Sequence, residues 1–133
     1  MNRKRVLIAD DETAILSVLS YKLSEAGLDV LTAGDGVEAL ELAKSELPDL
    51  LLIDFHMPGL SGLEVCLQLR AEAATANIKT IMLTACGMDI DQADLERAGI
   101  DLLMSKPFSP REVLCRVEEL LNLRTTCVEQ SSR

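Results

Sequence analysis

The feature that most restricts the fold of this chain is a short, uninterrupted apolar run at residues 50–53, which ends abruptly at Asp54. A run of this length without polar alternation is typical of a parallel strand buried on both faces. Pro58 and Gly59 then turn the chain, and Ser61 with Glu64 has the spacing of a helix-capping box. We therefore expect Asp54 where a buried strand opens into a loop, the edge at which open α/β sheets bind ligands. The alternative is a strand-end carboxylate held by backbone N–H groups.

Strand-like and helix-like segments alternate along the whole chain. The predicted strands are 4–9, 28–33, 50–53, 78–83 and 100–104, and the predicted helices are 13–26, 35–47, 61–73, 89–98 and 109–123. This alternation indicates βαβ units with right-handed crossovers and helices on both faces of a parallel sheet. Five strands and five helices fit a single doubly wound, flavodoxin-like α/β domain with strand order 2-1-3-4-5.

The composition is that of one acidic globular domain. The 133 residues are 48% hydrophobic and 26% charged, an ordinary globular balance. We expect residues 1–124 to form the domain and residues 125–133 to be a polar C-terminal tail or the start of a linker. A net charge of −9 and an aromatic content of 2% argue against direct nucleic-acid binding by this domain, because such binding requires phosphate neutralisation or base stacking.

The apolar runs are too short for a signal peptide or a membrane span. We therefore expect a cytoplasmic protein with no membrane partner. None of the four cysteines, at positions 66, 86, 115 and 127, belongs to a C-x-x-C pair. Free thiols in a reducing compartment are the expectation.

The predicted strand ends carry groups whose chemistry fits together. Asp10 and Asp11 end the first strand, Asp54 the third, Thr84 the fourth and Lys106 the fifth, and the predicted strand order places them on one edge of the sheet. Three crowded carboxylates repel one another, and a hard divalent cation such as Mg²⁺ removes that conflict. A carboxylate beside a metal, a lysine and a hydroxyl is suited to accept a phosphoryl group.

With these residues in order, the chain resembles the receiver domain of a two-component response regulator. The matching motifs, spread over residues 4–123, are Asp10-Asp11, Asp54 with Met57-Pro58-Gly59 and Gly62, Thr84-Ala85, and Lys106-Pro107-Phe108. The resemblance implies a phosphorylation-activated signalling switch supplied by a sensor histidine kinase or a histidine-phosphotransfer protein. It also implies a downstream effector protein or fused effector domain, and slow self-dephosphorylation rather than enzymatic turnover in the usual sense.

The resemblance implies separate roles for the acidic residues in accepting the phosphoryl group and in binding the metal ion. Asp54 would be the phosphoacceptor. Asp11, Asp54 and the backbone carbonyl of His56 would bind Mg²⁺ directly, and Asp10 would act mainly through a metal-bound water.

The resemblance also implies the parts of a conformational switch. Lys106 would pair with Asp54 and then with the phosphoryl group, and Thr84 would be the switch hydroxyl. Ala85 and Pro107 would support them, with a cis bond between Lys106 and Pro107. Phosphorylation would shift a two-state equilibrium in the face formed by the fourth helix, the fifth strand and the last helix.

Two positions near the fifth strand depart from the receiver pattern. Leu103 stands where receivers commonly carry Tyr or Phe, so we expect an altered switch. Leu102 stands where many receivers that dimerise through this face carry an acidic residue, which argues against such a dimer. We expect Leu102, Leu103 and Met104 to form instead an apolar patch suited to a partner. His56 and Cys86, two residues after Asp54 and Thr84, occupy positions that influence the lifetime of the phosphoryl group in this family.

Two other functions are open at this point. A Mg²⁺-dependent phosphatase with an aspartyl nucleophile would normally carry D-x-D, whereas Asp54 is followed by Phe55 and His56. A receiver-like scaffold that works without phosphorylation is argued against by the intact acceptor and metal positions, but Leu103 is compatible with it. The sequence leaves open whether the chain acts alone or belongs to a longer regulator.

Overall fold

The computed structural model describes residues 3–85 and 87–123, which form one parallel sheet with helices on both faces. The strands are β1 (Arg5–Ala9), β2 (Asp29–Ala33), β3 (Leu50–Asp54), β4 (Lys79–Thr84) and β5 (Leu102–Ser105). The helices are α1 (Thr13–Glu25), α2 (Gly36–Glu46), α3 (Gly62–Arg70), α4 (Gln92–Ala98) and α5 (Pro110–Leu120). The strand order is β2-β1-β3-β4-β5, and the neighbouring strands are parallel. The predicted doubly wound, flavodoxin-like fold is confirmed.

The middle of the sheet is buried on both sides. Every residue of β3 is buried, and residues 6–9 of β1 are fully buried. Alternate residues of these strands enter two separate cores: Leu50 and Leu52 pack with α1 and α5, whereas Leu51 and Ile53 pack with α2, α3 and α4. Two-sided burial explains why the sequence of β3 is apolar without alternation.

Side-chain caps fix the starts of α2, α3 and α5 near the carboxyl edge of the sheet. Asp35 accepts from the backbone N–H of Glu38 at the start of α2, and Ser61 and Glu64 form a reciprocal capping box at α3. Ser109 caps α5, which begins with Pro110. Each cap satisfies a backbone N–H that the first helical turn leaves unpaired.

Several predicted boundaries differ from the structure by a few residues. The third helix ends at Arg70 rather than at residue 73, and α4 begins at Gln92 because Asp91, not Asp89, is its N-cap. The fifth strand begins at Leu102, because the N–H of Ile100 caps α4 by donating to the carbonyl of Leu95. The predicted tail and Cys86 lie outside the described residues.

The two described cysteines, Cys66 and Cys115, differ in their bonding state. Cys66 is a free, buried thiol, and burial raises its pKa to about 12. The expectation of free thiols is wrong for Cys115, which is disulfide-bonded.

Within the described part of the chain, the structure has no helix with the length and apolar character needed to cross a membrane.

Candidate phosphoacceptor and metal site

The three predicted acidic residues meet at the carboxyl edge of the sheet. Asp54 is the last residue of β3, and Asp10 and Asp11 follow the last residue of β1. A carboxylate oxygen from each of the three lies within 4.8 Å of the others. Asp10 and Asp54 are buried, and Asp11 is exposed. The pairing of β1 with β3 therefore brings together residues that are more than forty positions apart in the sequence.

Lys106 lies between the two buried carboxylates. Its Nζ is 3.2 Å from Oδ2 of Asp54 and 3.3 Å from Oδ2 of Asp10. The backbone N–H of Lys106 donates to the carbonyl of Thr84 at 2.8 Å, which fixes the end of β5 beside the end of β4. One ammonium therefore serves two carboxylates, and the cluster keeps a surplus of negative charge.

Glu12 is a further acidic neighbour that the sequence prediction missed. Its Oε1 lies 3.9 Å from Nζ of Lys106, and its side chain is largely exposed. Its position directly after Asp10 and Asp11 in the sequence could have indicated that it lies near the acidic site. Because it is exposed, its attraction for Lys106 is screened by water and weaker than that of Asp10.

The buried carboxylate of Asp10 has one oxygen suited to a cation. Its Oδ1 accepts from the backbone N–H of Glu12 at 2.9 Å. Its Oδ2 is buried and has no aligned hydrogen bond within residues 3–85 and 87–123, although Lys106 lies within ion-pair distance. A buried oxygen without a hydrogen bond, beside two more carboxylates, matches the hard oxygen donors that Mg²⁺ prefers.

The electrostatics of the cluster oppose ionisation of Asp54. Burial raises the pKa of Asp54, and the negative charge of Asp10 raises it further, while Lys106 and a backbone hydrogen bond from His56 oppose the rise. For Lys106, burial alone would lower the pKa, but Asp10 and Asp54 outweigh burial and raise it. The lysine is therefore charged at neutral pH, and an added cation would favour the ionised form of Asp54.

The hydroxyl of Thr84 is directed away from this cluster. Thr84 is the buried last residue of β4, and its Oγ1 donates to the backbone carbonyl of Met104 in β5 at 3.5 Å. Ala85 follows it at the surface. The hydroxyl is therefore on the correct strand end, but it must turn to reach a group on Asp54.

Comparison with known proteins decides the family. The model of the response regulator receiver domain matches residues 6–118 of the chain. The chain belongs to the receiver domain family. The predicted family is therefore confirmed, and with it a place in phosphorylation-based two-component signalling.

Relatives of this receiver domain are similar over nearly its whole length. It is 46% identical over 118 residues to the alkaline phosphatase synthesis transcriptional regulatory protein PhoP of Bacillus subtilis, covering 89% of this chain and 48% of PhoP. It thus spans about half the length of the curated relatives it matches. A CheY-like receiver domain protein of Methanospirillum hungatei is 30% identical with a TM-score of 0.84, covering 91% of this chain and 95% of that protein.

A third comparison concerns the fold alone. The receiver domain of the sensor histidine kinase PA1611 from Pseudomonas aeruginosa is 24% identical, with a TM-score of 0.81, and covers 91% of this chain and 99% of that chain. That structure has a magnesium ion coordinated in the active-site cleft.

The other residues that the sequence predicted to belong to the site or the switch lie around the acidic cluster and on β5. His56 is exposed, and its ring makes an edge contact with Phe55 at a centroid distance of 4.9 Å. The bond between Lys106 and Pro107 is cis, as predicted. Leu103 is 43% exposed and lines a shallow groove of about 280 Å³ with Leu95 and Leu102. The expectation that Met104 joins an apolar surface patch is wrong, because its side chain is buried in the core. Cys86 lies outside the described residues.

Proposed function

We propose that this receiver domain is a switch that accepts a phosphoryl group on Asp54 from a sensor histidine kinase or a histidine-phosphotransfer protein. The observation that carries the proposal is the position of Asp54, buried at the carboxyl end of β3, with Nζ of Lys106 at 3.2 Å and the carboxylates of Asp10 and Asp11 within 4.8 Å. An anionic nucleophile beside fixed cations is the arrangement that phosphoryl transfer requires.

Mg²⁺ is the proposed cofactor. Asp11, Asp54 and the backbone carbonyl of His56 would hold it, and Asp10 would contact it mainly through water. Two observations on this chain support the ion: the buried Oδ2 of Asp10 lacks a hydrogen bond among the described residues, and the pKa of Asp54 is raised. When bound, Mg²⁺ supplies positive charge for the carboxylates and the phosphoryl oxygens.

The transfer itself is a displacement at phosphorus. A carboxylate oxygen of Asp54 forms the new P–O bond while the P–N bond of the donor phosphohistidine breaks. The bonding electrons stay on the ring nitrogen, and because the other ring nitrogen of the donor carries a proton, the imidazole leaves as the neutral form. Lys106 keeps its charge and shifts its attraction from the carboxylate to the phosphoryl oxygens. Slow attack of water on the acyl phosphate would return Asp54 to its carboxylate, and His56 and Cys86 are the proposed modulators of that rate.

The proposed conformational signal begins at Thr84. A phosphoryl group on Asp54 offers the hydroxyl a charged acceptor, which is stronger than the carbonyl of Met104. As Thr84 turns, the loop towards α4 follows, and the face formed by α4, β5 and α5 changes. Ala85 and Pro107 would support these movements. Leu103, exposed on this face in place of the usual aromatic residue, would alter the readout.

The output is proposed to come from an effector, either a partner protein or a domain fused to the receiver. The similar regulators are about twice as long as this chain, and PhoP is named as a transcriptional regulator. We infer a cytoplasmic setting, since the phosphoryl donors are there, with residues 1–124 as the receiver domain and residues 125–133 as a tail or linker.

The decisive experiment is intact-mass measurement after incubation with Mg²⁺ and a small acyl-phosphate donor. The wild type should gain one phosphoryl group, and Asp54→Asn should gain none. Asp49→Asn is the matched control, because Asp49 is an exposed aspartate just before the same strand at the opposite edge of the sheet. It should be labelled like the wild type.

Three results would contradict the assignment. Full labelling of Asp54→Asn would place the phosphoryl group elsewhere. No labelling of the wild type by either an acyl phosphate or a phosphorylated histidine-phosphotransfer domain would favour a scaffold that binds partners without phosphorylation. Rapid hydrolysis of a generic phosphate ester would favour a phosphatase.

A further inference from the structure

Arg70, the last residue of α3, is a partly buried cation without a carboxylate partner within residues 3–85 and 87–123. Its guanidinium donates instead to backbone carbonyls and one hydroxyl. The acceptors are the carbonyls of Ala98 (2.9 Å), Gly99 (3.0 Å), Ile78 (2.9 Å), Thr75 (3.2 Å) and Ala76 (3.2 Å), and Oγ1 of Thr80 (2.6 Å). One side chain therefore joins α3, the segment after it, the start of β4 and the end of α4.

The carbonyls of Ala98 and Gly99 accept hydrogen bonds from the guanidinium of Arg70 in place of a carboxylate. They belong to the C-terminal end of α4, where unpaired carbonyls carry partial negative charge and attract a cation. The planar guanidinium can serve several carbonyls at once, which a lysine ammonium cannot do in the same geometry. Arg70 thus holds the end of α4 through its backbone.

Gly99 makes this close approach possible. Its φ of +67° ends α4 in the left-handed region, and a Cβ built at this position would lie 2.3 Å from Nε of Arg70. The N–H of Ile100 returns to the carbonyl of Leu95, and the N–H of Asp101 donates to the carbonyl of Thr80. The C-terminal end of α4 is therefore fixed to its neighbours by several hydrogen bonds.

The opposite end of α4 is held differently. Its buried residues are Leu95, in the middle of the helix, and Ala98, at its end, whereas residues 91–93 are exposed. This exposed end follows the segment that leads from Thr84, the proposed switch residue. A displacement at Thr84 would therefore reach α4 at its weakly held end.

We propose that Arg70 is a positioning residue that fixes the C-terminal end of α4, so that α4 responds to phosphorylation by pivoting about Gly99. The pivot rests on the proposed function, whereas the anchor is a property of the unphosphorylated chain. A pivot confines the change to the first turn of α4 and the segment before it. Without the anchor, both ends of α4 would move.

The test is hydrogen–deuterium exchange of the full chain, with and without Mg²⁺ and an acyl phosphate, with intact mass recording the adduct in the same samples. In the wild type, phosphorylation should change exchange in peptides covering 85–94 and leave those covering 97–101 unchanged. In Arg70→Gln, the peptides covering 97–101 should exchange about tenfold faster before phosphorylation, and phosphorylation should then alter both regions. Gly99→Ala, which displaces the guanidinium, should have the same effect and replaces Arg70→Gln if that variant does not fold.

Arg97→Gln is the matched control, because this exposed arginine on the same helix pairs with Asp94. It should retain the wild-type exchange pattern. A wild type that responds equally at 85–94 and 97–101, or an Arg70→Gln variant that behaves like the wild type, would overturn the inference. Absence of the adduct would overturn the proposed function and the pivot, while the unphosphorylated samples would still decide whether Arg70 anchors α4.

Discussion

At the scale of single residues, the acidic site depends on the charge of Lys106. Among the residues that the structure describes, its ammonium is the side-chain cation that lies within 4 Å of both Asp10 and Asp54, and both carboxylates are buried. The raised pKa of Lys106 means that its stabilising contribution is fully present below the unfolded value near 10.5 and is lost as the pH rises above that value. At neutral pH the positive charge of Lys106 therefore offsets the repulsion between the carboxylates of Asp10 and Asp54.

Replacing Lys106 with alanine should lower the free energy of unfolding by about 1–3 kcal/mol without divalent cations, since it leaves two buried carboxylates unpaired. Mg²⁺ should stabilise this variant more than the wild type, because the ion takes over the charge of the lysine. Urea denaturation with and without Mg²⁺ measures both effects. Lys44→Ala is the control: its ion pair with Glu72 is solvent-exposed, so the loss should stay below about 1 kcal/mol. Equal losses in the two variants would show that Lys106 is not the balancing charge.

At the scale of secondary-structure elements, the start of α2 supports the loop after Asp54. The backbone N–H of Gly36 donates to the carbonyl of Pro58, and a Cβ on Gly36 would lie 2.0 Å from the carbonyl oxygen of Leu60. That oxygen belongs to the backbone, so a larger residue can be accommodated only if the loop or the helix moves. The loop carrying His56 is thus braced by a helix from another βαβ unit.

Gly36→Ala should therefore displace this loop, lower the free energy of unfolding by about 1–3 kcal/mol, and slow labelling of Asp54 by an acyl phosphate. Gly34→Ala is the matched control two residues earlier, where the nearest atom to an added Cβ is 3.9 Å away and belongs to a flexible glutamate. Urea denaturation and the time course of the intact-mass adduct would be compared for the two variants. If both label at the wild-type rate, the contact with Leu60 does not position the site.

The strands, the helix caps and the acidic site could be predicted from the sequence, but the start of α4 and the contacts of Arg70 could not. The buried strands and the caps at Ser61 and Ser109 follow from local patterns, and the strand order then brings Asp10 and Asp54 together. The start of α4 was not predictable, because two nearby aspartates are both good N-caps and only tertiary packing selects between them. The network of Arg70 was hidden for a similar reason: an arginine at a helix end has the usual pattern of a surface residue.

At the scale of the whole molecule, the net negative charge argues against DNA binding by the receiver domain itself. The net charge is −9, and the basic start of the chain is partly neutralised, because Arg5 lies 3.4 Å from Asp29 and 3.2 Å from Glu46. The proposed phosphorylation of Asp54 would add negative charge at the opposite edge of the sheet. Two similar proteins are named as transcriptional regulators, yet each is about twice as long as this chain. We therefore propose that DNA contact, where it is the output, comes from sequence outside the receiver fold.

This chain should therefore not bind a DNA duplex, even at about 50 mM salt, where attraction to phosphates is strong. Fluorescence anisotropy of a labelled duplex should stay flat as the chain is added, both unphosphorylated and after treatment with Mg²⁺ and an acyl phosphate. The Asp54→Asn variant separates an effect of phosphorylation from one of Mg²⁺, which can bridge two anions. An anisotropy rise that weakens with added salt would reveal a basic surface that the charge distribution does not predict. A flat response would support the prediction that this domain does not itself bind DNA.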